Sequence, residues 1–122
     1  MVNDTAELKK ARDQITAYFA GALRRFDLCL KPSGTKFQQA VWNRILLIPY
    51  GTTSTYGEVA NELRTSARAV GRACATNPIP LIIPCHRVIS KTGALTGYSG
   101  GGGLQTKEFL LSFEKKQTIH SA

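Results

Sequence analysis

The sequence predicts a mainly α fold of the α+β class, on three observations. Apolar residues recur at helical spacing in several separate stretches. Two short helical patterns meet across the brief turn "RTS", which is helix-turn-helix geometry. Extended patterns are few and short, which confines β structure to small elements. At 122 residues the chain is long enough for one modest core and not for two.

From about Thr5 to Leu23, the positions Leu8, Ala11, Ile15, Tyr18, Phe19 and Ala22 have the spacing of an amphipathic helix. "RFDLCLKPSG" then alternates Phe26, Leu28 and Leu30 as a short strand stopped by Pro32 and Gly34. A second helix is expected from a Thr35 cap to Ile48, with Phe37, Val41, Trp42, Ile45 and Leu46 facing inward. Thr55-Tyr56-Gly57-Glu58 is a capping-box pattern that opens a third helix through Val59, Ala60 and Leu63. After "RTS", Ser66 caps a fourth helix reaching about Thr76, and a last helix carries Leu110, Leu111 and Glu114.

Charge narrows the partners. Sixteen Lys and Arg against eight Asp and Glu give +8, a surface suited to a polyanion. Nucleic acid fits better than a membrane, since no helix is basic on one face and richly apolar on the other. The start "MVNDTAELKKARDQ" lacks the apolar run of a signal peptide, which predicts cytoplasmic residence. The cysteines Cys29, Cys74 and Cys85 have no Cys-x-x-Cys spacing, and only His86 and His120 could join them as ligands. No metal and no cofactor are therefore expected.

The fourth helix, "SARAVGRACAT", places Val70 and Cys74 on one side, with Ala67 at the edge, and Arg68, Gly71, Arg72 and Ala75 on the other. Its outward face is two arginines on a floor of small residues, with Ala69 beside them. A helix that reads base edges usually offers several long polar side chains. This one would instead let a backbone lie close to its partner while an arginine reaches past. A packing helix with two solvated arginines is the alternative, and the net charge and neighbouring turn favour DNA.

"IPLIIPCHRVIS" sets Cys85 against His86 and Arg87 in an apolar, proline-bounded run. A thiol is a nucleophile only as thiolate, and a nearby imidazole or cation lowers its pKa. Adjacent side chains on an extended segment point apart, so a water relay or a turn at Pro84 would be needed to join Cys85 to His86. Cys29 and Cys74 read as inert packing thiols.

The string "IPCHRVI" resembles the active-site signature of the O6-alkylguanine-DNA alkyltransferases. "FQQAVWNRILLIPYGTTSTYGEVA", "ARAVGRACATNPIPLIIPCHRVI" and "GALTGYSGG…KEFLLSFE" are similar to successive blocks of that family's C-terminal domain, in order. The resemblance covers about Phe26 to Lys115. It divides the chain into a connector over residues 1–34, the remnant of a missing N-terminal domain; a winged helix-turn-helix catalytic domain over 35–117; and a flexible tail over 118–122.

It also implies roles. Cys85 would take the alkyl group irreversibly from O6 of guanine, once per molecule, with His86 acting through a water and Glu114 polarising the imidazole. Tyr56 would donate to the guanine, Tyr98 and Ser99 would line the base pocket, and the carbonyls of Cys85 and Val88 would accept from the exocyclic amine. Arg68 would enter the base stack as the nucleotide rotates out. Arg72, Ala69, Gly71 and Ala75 would lie along the minor groove. Lys91 and Thr92 would form a wing on phosphate, and Asn77 would be the hinge between recognition helix and Cys85 loop. The implied partner is double-stranded DNA containing O6-alkylguanine, bound without sequence preference by a monomer. The extra glycines in "YSGGGGLQTKE" imply a roomier pocket. A non-catalytic alkyltransferase-like damage sensor is the alternative, but such proteins lack the reactive cysteine present here.

Overall fold

A computed structural model describes residues 5–28, 32–92 and 103–120. The chain divides into two compact units, residues 1–31 and 32–122. The first is helix α1, Thr5–Phe19, with the segment that follows it. Gly21, at φ 78°, ends this helix before the expected Leu23. The Ala22 and Gly21 amides return to the Ala17 and Tyr18 carbonyls, a left-handed stop that glycine adopts without steric cost. Tyr18 is buried and stacks on Phe26, centroids 5.7 Å apart.

The strand expected around Phe26 does not form over Phe26–Leu28, and Cys29 and Leu30 lie outside the described residues. Asp27 pairs instead with one side chain: its amide donates to Gln14 Oε1 and its carbonyl accepts from Gln14 Nε2. Those bonds replace a sheet ladder.

The second unit holds α2 (Lys36–Ile45), β1 (Ser54–Thr55), α3 (Tyr56–Leu63), α4 (Ala67–Ala75), a 3-10 turn (Cys85–Arg87), β2 (Val88–Ile89) and α5 (Leu104–His120). Its caps are local and complete. Thr35 with Gln38, and Thr55 with Glu58, each satisfy two backbone amides reciprocally, and the Ser66 hydroxyl accepts from the Ala69 amide. The turn between α3 and α4 closes through Arg64 in the left-handed region at φ 56°. The Thr65 amide there reaches back to the Ala60 carbonyl. α5 runs on to His120, past the point where the sequence reading ends the domain.

α2, α3 and α4 enclose one core built on Val41, Trp42, Ile45, Val59, Val70 and Cys74. Trp42 Nε1 donates to the Ala73 carbonyl at 2.9 Å and pins α2 to α4. Gly34 lets the indole lie close, since a Cβ there would meet the ring at 2.7 Å. Phe37 and Leu46, expected inside, are exposed. The apolar stripe of α2 is wider than the surface its neighbours cover, so its margins stay in water.

β1 and β2 pair in parallel, Ser54 with Val88 and Thr55 with Ile89. This two-stranded element sets Tyr56, the first residue of α3, beside the turn that carries Cys85. The strand that would complete a wing after Thr92 lies outside the described residues. Among those described, no helix is long and apolar enough to cross a membrane.

Candidate active site

Pro84 is where the site begins. At φ −81° and ψ 64° it makes an inverse γ-turn, closed by the Cys85 amide on the Ile83 carbonyl at 2.7 Å. The Arg87 amide then returns to the Pro84 carbonyl at 2.9 Å. The segment is thus a turn and not extended, and Cys85, His86 and Arg87 are all buried, each with its own set of partners.

Cys85 is 1% exposed. Asn77 Nδ2 donates to its Sγ at 3.1 Å and to the Ile83 carbonyl at 2.8 Å, while Asn77 Oδ1 accepts from the Ile79 amide. One amide side chain therefore joins the end of α4, the loop and the thiol. Cys74 is fully buried in the core, in keeping with a packing role. The neighbouring Cys74 thiol pulls the Cys85 pKa down, burial opposes it, and Asn77 and the Lys107 charge add to the lowering.

His86 Nε2 lies 2.7 Å from Glu114 Oε2. Arg87 Nε and Nη2 grip the two oxygens of the same carboxylate at 2.9 Å each, and Nη1 donates to the Ile48 carbonyl. The Gly51 amide adds a fourth donor to Glu114. Gly51 sits at φ +77° against the Thr118 side chain, so a Cβ is excluded on both grounds. Burial alone would raise the Glu114 pKa, but the hydrogen bonds from His86 and Arg87 outweigh it and hold the carboxyl at about 2. Burial lowers that of His86 more than Glu114 raises it, so the imidazole is neutral near pH 7. With a carboxylate on Nε2, that nitrogen carries the proton and Nδ1 is the basic one.

Acid is therefore expected to destabilise the protein in two stages. Below the ordinary histidine value of 6.5, the unfolded chain takes a proton that folded His86 resists. Below the ordinary 4.5, unfolded Glu114 does likewise, down to about 2. The thermal midpoint measured by circular dichroism should fall through both ranges, and Glu114→Gln should lack the lower limb. A midpoint that is flat below the first range would contradict the buried carboxylate.

Lys107 escaped the sequence reading. It is fully buried on α5, and its Nζ donates to the Tyr56 hydroxyl oxygen at 3.2 Å and lies 5.4 Å from that ring's centroid. Burial lowers its pKa, while the two thiols pull the other way. It is also the cation acting on Cys85, a part the sequence offered to Arg87, which the structure commits to Glu114. The signal was present: Lys107, Leu110 and Glu114 share one face of a helix, and a lysine on a core-facing stripe calls for a partner.

The other expected residues are placed less closely together. Val88 is buried, and its amide occupies one side of the Cys85 carbonyl. Arg68, Arg72 and Ala75 are exposed on α4, with Ala69 and Gly71 half-buried. A Cβ on Gly71 would meet nothing within 4 Å, so the fold itself does not require this glycine. Lys91 and Thr92 are exposed in the turn after β2. Tyr98 and Ser99, with the glycine-rich loop, lie outside the described residues.

The family model described as the DNA binding domain of 6-O-methylguanine DNA methyltransferase matches residues 36–116. The chain is 53% identical over 108 residues to the methylated-DNA–protein-cysteine methyltransferase of Methanosarcina acetivorans, covering 87% of this chain and 68% of that protein. It is 51% identical over 116 residues to the protein of the same name from Mycobacterium tuberculosis, covering 93% and 69%. The crystal structure of Mycobacterium tuberculosis OGT in complex with DNA superposes with a TM-score of 0.84 at 52% identity, over 89% of this chain and 68% of that one. The chain thus spans about two thirds of the length of these relatives. Similarity of this extent, with the family model lying over the unit that holds the Cys85 turn, means that the chain belongs to the methylated-DNA–protein-cysteine methyltransferase family.

Proposed function

We propose that this chain repairs O6-alkylguanine in duplex DNA by moving the alkyl group onto Cys85. The observation that carries the reading is the buried Cys85 thiol, held by Asn77 and set one residue from a histidine fixed by a buried carboxylate. The family's DNA-binding domain, and the complex of a similar chain with DNA, support DNA as the partner.

The chemistry balances with this chain's own groups. His86 Nδ1 takes the Cys85 proton through a water, and Glu114 stabilises the imidazolium that forms. The thiolate attacks the alkyl carbon, a C–S bond forms, and the C–O6 bond breaks with its electron pair going to guanine. Tyr56 gives its hydroxyl proton to the guanine ring. Lys107, already donating to that oxygen, stabilises the phenolate left behind. The products are normal guanine and a thioether. Thiols do not reverse a thioether, so each molecule reacts once.

A paired guanine cannot bring O6 to a buried thiol, so the nucleotide rotates out at a cost of a few kcal/mol. Arg68 fills the gap from the exposed face of α4, and Arg72, Ala69, Gly71 and Ala75 follow the minor groove. The open space at Gly71 supports that role, because close approach explains a glycine that packing does not. Lys91 and Thr92 contact phosphate, and Tyr98 and Ser99 line the pocket. The protein acts as a monomer, and the reduced thiols of Cys74 and Cys85 suit the reducing cytoplasm. The sensor alternative is not favoured, because relatives about half identical to this chain are named methyltransferases.

Intact mass and peptide mapping test the proposal, using a duplex with one O6-methylguanine and, separately, the free base O6-benzylguanine. One methyl is expected on the Cys85 peptide. Arg68→Ala should slow the duplex reaction by at least tenfold and leave the free-base reaction near the wild-type rate. No mass gain would refute transfer, and equal slowing on both substrates would refute the role of Arg68.

A further inference from the structure

Arg64 ends α3 in a backbone conformation that favours glycine, φ 56° and ψ 49°. Its amide returns to the Ala60 and Asn61 carbonyls, and the Thr65 amide returns to Ala60. This is a helix stop whose left-handed position is usually filled by glycine. A residue with a Cβ is strained there. Non-glycine residues held in that region cluster at functional sites, where the side chain outweighs the strain. Among the described residues one other non-glycine has a positive φ, Leu81, and it lies in the loop that leads to Cys85.

Nothing in the surrounding packing asks for an arginine. Among the described residues the exposed Arg64 side chain has no hydrogen bond, ion pair or ring contact. Both acids of α3 are taken: Glu58 accepts from the Thr55 amide, and Glu62 pairs with Arg44. A cation at this end suits the dipole of α3. The last turn would supply that charge in ordinary helical backbone, yet it holds no basic residue.

Position along the chain supplies a reason instead. Arg64, Arg68 and Arg72 recur every four residues, all three exposed, the last two one turn apart on α4. Four residues span at most about 14 Å, so Arg64 starts within that distance of Arg68. The minor groove is about 6 Å wide. An arginine this near to one inside the groove reaches the phosphates along its edge.

We infer that Arg64 is a DNA-binding residue, its guanidinium gripping a backbone phosphate beside the groove that Arg68 enters. The inference rests on duplex DNA as the partner and on Arg68 entering the base stack. A phosphate contact carries no sequence information, which suits a protein that binds without sequence preference.

Thermal melting of the free protein and fluorescence anisotropy with an undamaged duplex, from about 50 to 200 mM salt, test it together. Arg64→Gly is expected to raise the melting midpoint by about 3 °C, because glycine relieves the strain. The same variant should bind about fivefold to tenfold more weakly at the low-salt end. Its plot of log affinity against log salt should be shallower by about 0.9, the contribution of one phosphate. Arg64→Lys keeps the charge and is expected to keep the wild-type slope. A lower midpoint in the glycine variant overturns the inference, since the fold itself would then need the arginine. A lysine variant as shallow as glycine overturns it too. Wild-type protein that binds no duplex overturns both this inference and DNA as the partner, whereas normal wild-type binding with an unchanged glycine variant overturns only this one.

Discussion

Cys85→Ala is expected to bind duplex DNA as tightly as the wild type and to transfer no methyl at any time or concentration. Binding and chemistry separate because they use different surfaces. The basic residues Arg68, Arg72 and Lys91 are exposed, whereas the Cys85 sulfur is buried and adds no charge to that surface. Affinity dominated by phosphate contacts should keep its salt dependence in the variant. Alanine is smaller than cysteine, so the lost sulfur leaves a small void and a modest stability cost. Among the described residues the other cysteine is a poor substitute: Cys74 is fully buried, and the neighbouring Cys85 thiol and burial raise its pKa well above the usual thiol range. Electrophoretic mobility shift and mass spectrometry on one sample would check both halves. A methyl found on Cys74, or binding lost together with transfer, would mean that the two thiols or the two surfaces are not separable in this way.

How far the sequence foretold this site depends on the range of the forces involved. The starts of α2, α3 and α4 were legible because each cap is settled within four residues: Thr35 with Gln38, Thr55 with Glu58, and Ser66 with Ala69. The end of α1 was equally local, but Gly21 was passed over in favour of apolar spacing that runs on to Ala22. Phe37 and Leu46 could not be assigned a side, since only the outline of the packed neighbours decides where a stripe stops. The Cys-His-Arg run was legible as chemistry, and the turn at Pro84 was one of the two geometries the sequence left open. That turn buries all three side chains and gives each its own partners, which the sequence did not specify. The partnership of Lys107 with Tyr56 spans 51 residues and leaves only one trace, a cation on an apolar face.

Glu114→Ala should be the costliest single change to stability. The carboxylate is 1% exposed and accepts from His86, from two nitrogens of Arg87 and from the Gly51 amide. Without it, the Arg87 guanidinium stays buried with the Ile48 carbonyl and the Tyr50 ring face as its remaining contacts, neither of which carries a negative charge. Removing one partner of a buried ion pair costs about 3–5 kcal/mol. A domain of this size has about 5–15 kcal/mol in all. The urea midpoint should drop accordingly, and a loss under about 1 kcal/mol, the range of a surface pair, would contradict the buried network. Pairing the change with Arg87→Met removes the stranded cation as well, and most of the stability should return, because apolar groups of similar volume can replace a buried ion pair. Transfer should not return with it. His86 would still lack the carboxylate that fixes its tautomer and stabilises its charged form, so the double variant should fold and remain slow. If transfer recovers together with stability, the carboxylate serves Arg87 alone and the His86 relay is not part of the reaction.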